Sequence, residues 1–126
     1  MTQTVEEALT RVRRAAEEAV AKTAVQLARE AADLTPVRTG RLRGSWQVVE
    51  SPELAHPLPP AEGGTYGPLE IAAPAKQLRL FVANRVPYAL EVEWGGLGRA
   101  GVHMASRAIG RLQGRLAGSF LNELGN

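Results

Sequence analysis

The chain has no cysteine, two lysines, two histidines and only six aromatic residues of the Phe, Trp and Tyr kinds, and it has no long apolar run. Each shortage excludes something. Without cysteine there are no disulfides and no thiolate metal sites. Charges interrupt every apolar stretch before the roughly 20 residues that a membrane helix needs, so no membrane partner is expected. Met1-Thr2-Gln3-Thr4 lacks the basic and apolar regions of a signal peptide, and none is read. His56 lies beside Pro57-Leu58-Pro59, and His103 opens a helical segment. Neither stands in a nucleophile context, and two scattered histidines do not make a zinc set. Gly95-Gly96-Leu97-Gly98 precedes a helix but lacks the Walker lysine and the dinucleotide spacing. No catalytic residue, cofactor or metal is therefore expected, and the chain reads as a non-enzyme.

What is present fits one domain, 1–126, long enough to bury a core without staples. The net charge is +2, and 13 of the 15 basic residues are arginine. The guanidinium fork suits carboxylates, phosphates and interfaces. Thirteen acidic residues are interspersed and no basic block stands alone, so surface ion pairs account for the arginines at least as well as nucleic acid does.

Residues 4–34 read as one long helix. Val5, Leu9, Val12, Ala16, Val20, Ala24, Leu27, Ala31 and Leu34 recur at a spacing of three to four. Thr4 with Glu7 makes a capping box, and Pro36 bars Thr35 from the helical region and ends the helix. Alanine is abundant here, which favours helix and lets a neighbour approach closely.

A sheet region is expected over 41–94. In 41–50, Leu42, Trp46 and Val48 alternate with Arg43, Ser45 and Gln47, which predicts a half-buried strand with Gly44 at a bulge. A second strand is expected from Gln77 to Val82 and a third from Tyr88 to Trp94. Six of the eight prolines fall in 51–75, a long loop with room for a short strand at 69–72. On the third strand Glu91 and Glu93 share a face. Paired carboxylates can serve acid–base work or a hard metal, but a solvated face or an ion pair with Arg41 or Arg43 is the simpler account.

Gly95, Gly96, Gly98 and Gly101 form a flexible link to a last helix over 102–124, whose apolar stripe runs Met104, Ala108, Ile109, Leu112, Leu116, Phe120, Leu124. Two ladders decorate it. Ser106, Gly110, Gly114 and Gly118 form a small-residue face suited to close packing, in the same subunit or the next. Arg107, Arg111 and Arg115 form a charged one, which Glu17, Glu18 or a partner would relieve. Arg107, Arg111, Arg115, Gly110 and Gly114 are candidate subunit-interface residues. Arg38, Arg41 and Arg43 beside Trp46 could meet phosphates and a base, although alternation puts the arginines and Trp46 on opposite faces.

Two segments are more tightly specified than the rest: Thr35-Pro36-Val37-Arg38-Thr39-Gly40-Arg41-Leu42-Arg43-Gly44-Ser45-Trp46 and Val86-Pro87-Tyr88-Ala89-Leu90-Glu91-Val92-Glu93-Trp94-Gly95. The first resembles the Pro-Val-x-Thr-Gly-x-Leu-x-x-Ser pattern of tailed-phage neck proteins. The second is similar to their Tyr-Ala-x-x-Val-Glu-aromatic-Gly pattern. These proteins are also called head–tail joining or tail-completion proteins, of the type named after the tenth gene product of a lambda-like coliphage. The layout agrees over about 4–122. Trp94-Gly95-Gly96 departs from the family's usual Phe-Gly-Thr, and Gly101-Val102-His103-Met104 departs from its proline-and-aromatic approach to the last helix.

The resemblance implies an α+β subunit with a long N-terminal helix, a small, mainly antiparallel sheet of three to four strands and a C-terminal helix packed on it. It implies a structural ring in the virion neck that joins the head connector to the tail and lines or seals the DNA passage. The partners implied are further copies in a six- or twelve-fold ring, a head-closure or connector protein, a tail-terminator or tail-tube protein, and transiently DNA. The location implied is the virion, and the host cytoplasm during assembly. The fold and assembly residues carried over are Pro36, Thr39, Gly40, Leu42, Ser45, Trp46, Tyr88, Ala89, Glu93, Trp94 and Gly95. A tail-terminator or minor tail protein is the alternative, and a small nucleic-acid-binding protein the second. Strand parity places Leu42 and Trp46 on one core face and Tyr88, Leu90, Val92 and Trp94 on another.

Overall fold

The computed structural model describes residues 4–37, 40–60, 66, 69–96 and 98–113. Helix α1 (Val5–Asp33) begins where Thr4 Oγ1 accepts the Glu7 amide at 3.1 Å, with Glu6 and Glu7 in the first turn beside the positive helix end. Such a cap contributes about 1 kcal/mol. The helix stops one residue before Leu34, as the restriction imposed by Pro36 on Thr35 requires.

Its packing face is made of alanine: Ala15, Ala19, Ala24, Ala28, Ala31 and Ala32 are buried. The larger residues of the expected stripe are not covered over the first turns. Val5 is 75% exposed, and Leu9 and Val12 are exposed as well. Both core clusters meet α1 from Ala24 onward. Small side chains there let neighbouring backbones come close.

The α+β class and the order of helix, small antiparallel sheet and helix are as expected. The sheet is built differently. Residues 41–44 form a one-turn helix, α2 (Arg41–Gly44), entered through Gly40 at φ +88°, a left-handed conformation that glycine adopts without penalty. Only β1 (Gln47–Val49) is extended, and it pairs antiparallel with β2 (Phe81–Ala83) in the register Gln47–Ala83, Val48–Val82, Val49–Phe81. The second expected strand is thus confined to its last two residues plus Ala83. No strand occurs at 69–72, yet Leu69 and Ile71 pack against the core. In the proline-rich stretch, Pro52–Leu54 makes one turn of 3-10 helix.

The third expected strand is a helix, α3 (Ala89–Trp94). Ala89, Val92 and Glu93 stand at i, i+3 and i+4, one face of a helix, whereas a strand would turn Val92 away from the other two. The glycine link is an ordered hairpin: β3 (Gly95–Gly96) pairs antiparallel with β4 (Arg99–Ala100). Gly101 then lies on the end of α3. A Cβ added there would fall 2.5 Å from Glu93 O and 2.6 Å from the Trp94 carbonyl carbon. This close approach lets the Val102 and His103 amides reach the Val92 and Glu93 carbonyls at 2.7 and 3.0 Å, which satisfies the open end of α3.

Helix α4 (Met104–Leu112) follows. It packs mainly on α1 and α3 rather than on the sheet. Met104 and Ala108 join Ala31, Ala32, Leu42, Trp46 and Val86 in the main cluster. A second cluster holds Ala24, Ala28 and Val48, and Val82 packs against both. The expected continuation of the last helix to 124 lies outside the described residues.

Candidate functional site

The first motif is locked to the C-terminal end of α1. Trp46 Nε1 donates to Thr35 Oγ1 at 2.8 Å, and Thr35 Oγ1 donates to the Ala31 carbonyl at 2.7 Å. All three residues are buried. The chain of bonds lets an indole N–H enter the core without the roughly 1–3 kcal/mol cost of an unsatisfied donor. Leu42, one helical turn before Trp46, is buried beside it. Pro36 is exposed just past the helix end, and Thr39 and Arg38 lie outside the described residues.

The polar residues of this motif face a different part of the chain. Ser45 Oγ donates to the Arg41 carbonyl at 2.6 Å and accepts the Leu58 amide at 3.0 Å. Arg41 Nε donates to the Leu58 carbonyl at 2.8 Å. Arg43 lies 3.8 Å from Asp33. Arg41 and Arg43 thus turn to the Leu58 carbonyl and to Asp33, and Trp46, the indole of this motif, is buried rather than open to stack on a base.

The second motif faces two ways. On its inner side Ala89 and Val92 pack against the core, and Glu93 is buried. Glu93 Oε1 accepts the Ala105 amide at 2.8 Å, and Oε2 accepts the Ser106 amide at 3.2 Å and the Ser106 hydroxyl at 3.0 Å. One carboxylate thus caps α4 from another element, and its charge favours the positive helix end. Glu91 and Glu93 do not share a face, because a helix rotates neighbours two apart by about 200°. On the outer side Leu90 is 73% exposed, Trp94 is 64% exposed and Tyr88 is also exposed. Trp94 meets His103 edge to face, with ring centroids 5.5 Å apart. The expected core face Tyr88–Leu90–Val92–Trp94 is thus overturned for all but Val92. Leu90 and Trp94 do share a face, one that points outward. Gly95 closes α3.

On α4, Arg111 reaches Glu30 at 3.0 Å, rather than the expected Glu17 or Glu18. Arg107 is exposed. Among the described residues a methyl group at Gly110 would meet nothing within 4 Å, so close packing against them does not explain this glycine. Ser106 belongs to the Glu93 cap. Gly114, Arg115 and Gly118 lie outside the described residues.

Asn84 joins the two motifs, and sequence reasoning missed it. Its Nδ2 donates to the Leu42 carbonyl at 2.7 Å and its Oδ1 accepts the Val86 amide at 3.2 Å. Its place just ahead of Val86-Pro87 marks a turn, but nothing local names its distant partner. The hydrogen-bonding roles of Thr35 and Gln47 have the same kind of distant partner, Trp46 and His56. Among the described residues no group of three or more His, Asp or Glu is placed to hold a metal ion, and no helix is long and apolar enough to cross a membrane.

No curated protein and no solved structure matches the chain. A family model described as "Bacteriophage HK97-gp10, putative tail-component" matches residues 1–95. That span contains both motifs and about three quarters of the 126 residues. The chain belongs to the HK97-gp10-like family of bacteriophage tail components.

Proposed function

We propose that the protein is a non-enzymatic structural component of the virion neck, where copies form a ring that joins the head connector to the tail around the DNA passage. The observation that carries this reading is the outer face of the second motif. Leu90 and Trp94 stand out from a short helix whose inner face is fully engaged, in a chain of a tail-component family. Apolar groups that are exposed on a rigid support mark protein contact surfaces. The exposed Val5, Leu9 and Val12 offer a second apolar strip at the far end of α1. Two different contact strips on one chain are what a head-to-tail arrangement uses, and such contacts give a ring when the rotation closes.

Co-expression with the connector-side and tail-side virion proteins, followed by electron microscopy, tests the reading. A ring with rotational symmetry is expected, and it should be lost in a Leu90→Ser, Trp94→Ser chain that remains folded. A protein that stays monomeric with both neighbours present overturns it. The family's description as a tail component favours a second reading, a tail-terminator or minor tail protein one layer further from the capsid. Capture of the tail-side protein alone selects that reading. Capture of both neighbours selects the neck.

A further inference from the structure

We propose that the face built from Gly40, Arg41, Gly44, Ser45 and Gln47 is a docking site for an extended, proline-flanked leucine segment. Residues 55–60 of the same chain fill it here, and the same residues of a second copy fit it in trans. The inference goes beyond the neck reading and does not depend on it.

The hydrogen-bond accounting of the segment carries the argument. In His56-Pro57-Leu58-Pro59-Pro60 the three prolines have no amide hydrogen, so only His56 and Leu58 can donate from the backbone. Both donors are taken by this face. The His56 amide reaches Gln47 Oε1 at 3.2 Å, and the Leu58 amide reaches Ser45 Oγ at 3.0 Å. The carbonyls of the same two residues are also held, His56 O by Gln47 Nε2 at 2.5 Å and Leu58 O by Arg41 Nε at 2.8 Å. Alternate residues of an extended chain are thus read by both their backbone groups. The Leu58 side chain lies on Gly44, where an added Cβ would come within 2.8 Å of its Cδ1. Tyr66 covers Gly40, with its Cβ 3.7 Å from where a Gly40 Cβ would stand, and donates to the Pro59 carbonyl at 2.8 Å. Ala55, at the head of the segment, is buried.

This is the logic of polyproline recognition: a pre-extended ligand of low entropy, two backbone anchors and one side-chain seat. No backbone ladder joins the segment to β1 among the described residues, and side chains provide the hold. A site of that kind recognises the segment without requiring it to come from the same loop. The four residues between Glu50 and Ala55, five steps of the chain, could extend over roughly 17 Å on release. The occupant that the site is shown to fit is this chain's own sequence, so a second copy is the partner.

A peptide of residues 54–60 tests the site directly. It is titrated into isotopically labelled chain carrying Leu58→Asp, with Leu58→Ala as the milder variant should the first not fold, and amide and Gln47 side-chain resonances are followed. Saturable shifts confined to 40–47 are expected. Binding should be at least fivefold weaker for a Leu58→Ala peptide and for the unmodified chain, whose own segment competes. It should vanish when Ser45→Ala and Gln47→Ala are added to the protein. No saturable shift in a folded variant, or equal binding of the Leu58→Ala peptide, overturns the site.

Mixing the Leu58→Asp chain with a chain carrying Ser45→Ala and Gln47→Ala tests the partner. A one-to-one complex in sedimentation is expected, and its absence overturns the second copy as occupant. Neither measurement needs a ring, so failure of the neck reading and failure of this one are separable.

Discussion

The two motifs each contain a tryptophan four residues after a leucine, and they use it in opposite ways. Leu42 and Trp46 point into the core, and the Trp46 indole N–H is satisfied by the buried Thr35 hydroxyl. Leu90 and Trp94 point outward, and the Trp94 ring touches His103 at the surface. In the first motif the apolar residues make the fold, while the polar ones receive the proline-rich segment. In the second, a buried carboxylate makes the fold and the apolar residues are left to the surface. Hydrophobicity alone therefore does not say which side of such a segment is structural. The partner of the polar residues decides it.

That contrast can be broken by substitution. Trp46→Ala should have the largest effect, about 3–5 kcal/mol of lost stability from a large buried side chain, read by chemical denaturation. A loss below about 1 kcal/mol would contradict its role in the core. Glu93→Ala should cost about 2 kcal/mol, because two amides at the start of α4 and a hydroxyl lose their shared acceptor. Hydrogen exchange should show the loss concentrated at Ala105 and Ser106, and uniform exchange across the chain would argue against the cap. Trp94→Ser should change stability by no more than about 0.5 kcal/mol, as surface substitutions do, while removing assembly with neighbouring virion proteins. A large loss of stability there would erase the difference between the motifs.

The ends of α1 were legible because their signals are local. Thr4 reaches an amide three residues on, and Pro36 acts on the residue before it. The short segments were not legible, and the reason is numerical. A spacing of four is two periods of a strand and nearly one turn of a helix, so Leu42 with Trp46, or Leu90 with Trp94, share a face in either structure. For 41–46 the wrong period still placed both residues correctly in the core. For 88–94 it placed Leu90 and Trp94 on the wrong side, because the competing helical face Ala89–Val92–Glu93 contains a glutamate that a hydrophobic pattern counts as polar. Nothing near Glu93 in sequence reveals that its partners begin 12 residues later at Ala105. Asn84 is harder still, since its acceptor, the Leu42 carbonyl, is 42 residues away.

By itself the sequence determined the features with short-range causes: the long capped helix and its stop, the exclusion of disulfides, the interruption of every apolar run, and two motifs that fall within the span matched by the phage tail-component family. Only the tertiary structure decided the rest. It chose helix over strand for six residues because a distant helix end needed a carboxylate. It turned Trp46 inward because the Thr35 hydroxyl was there to accept a hydrogen bond from its indole N–H. It seated a proline-rich segment on the first motif because its few backbone donors met side chains spaced to receive them.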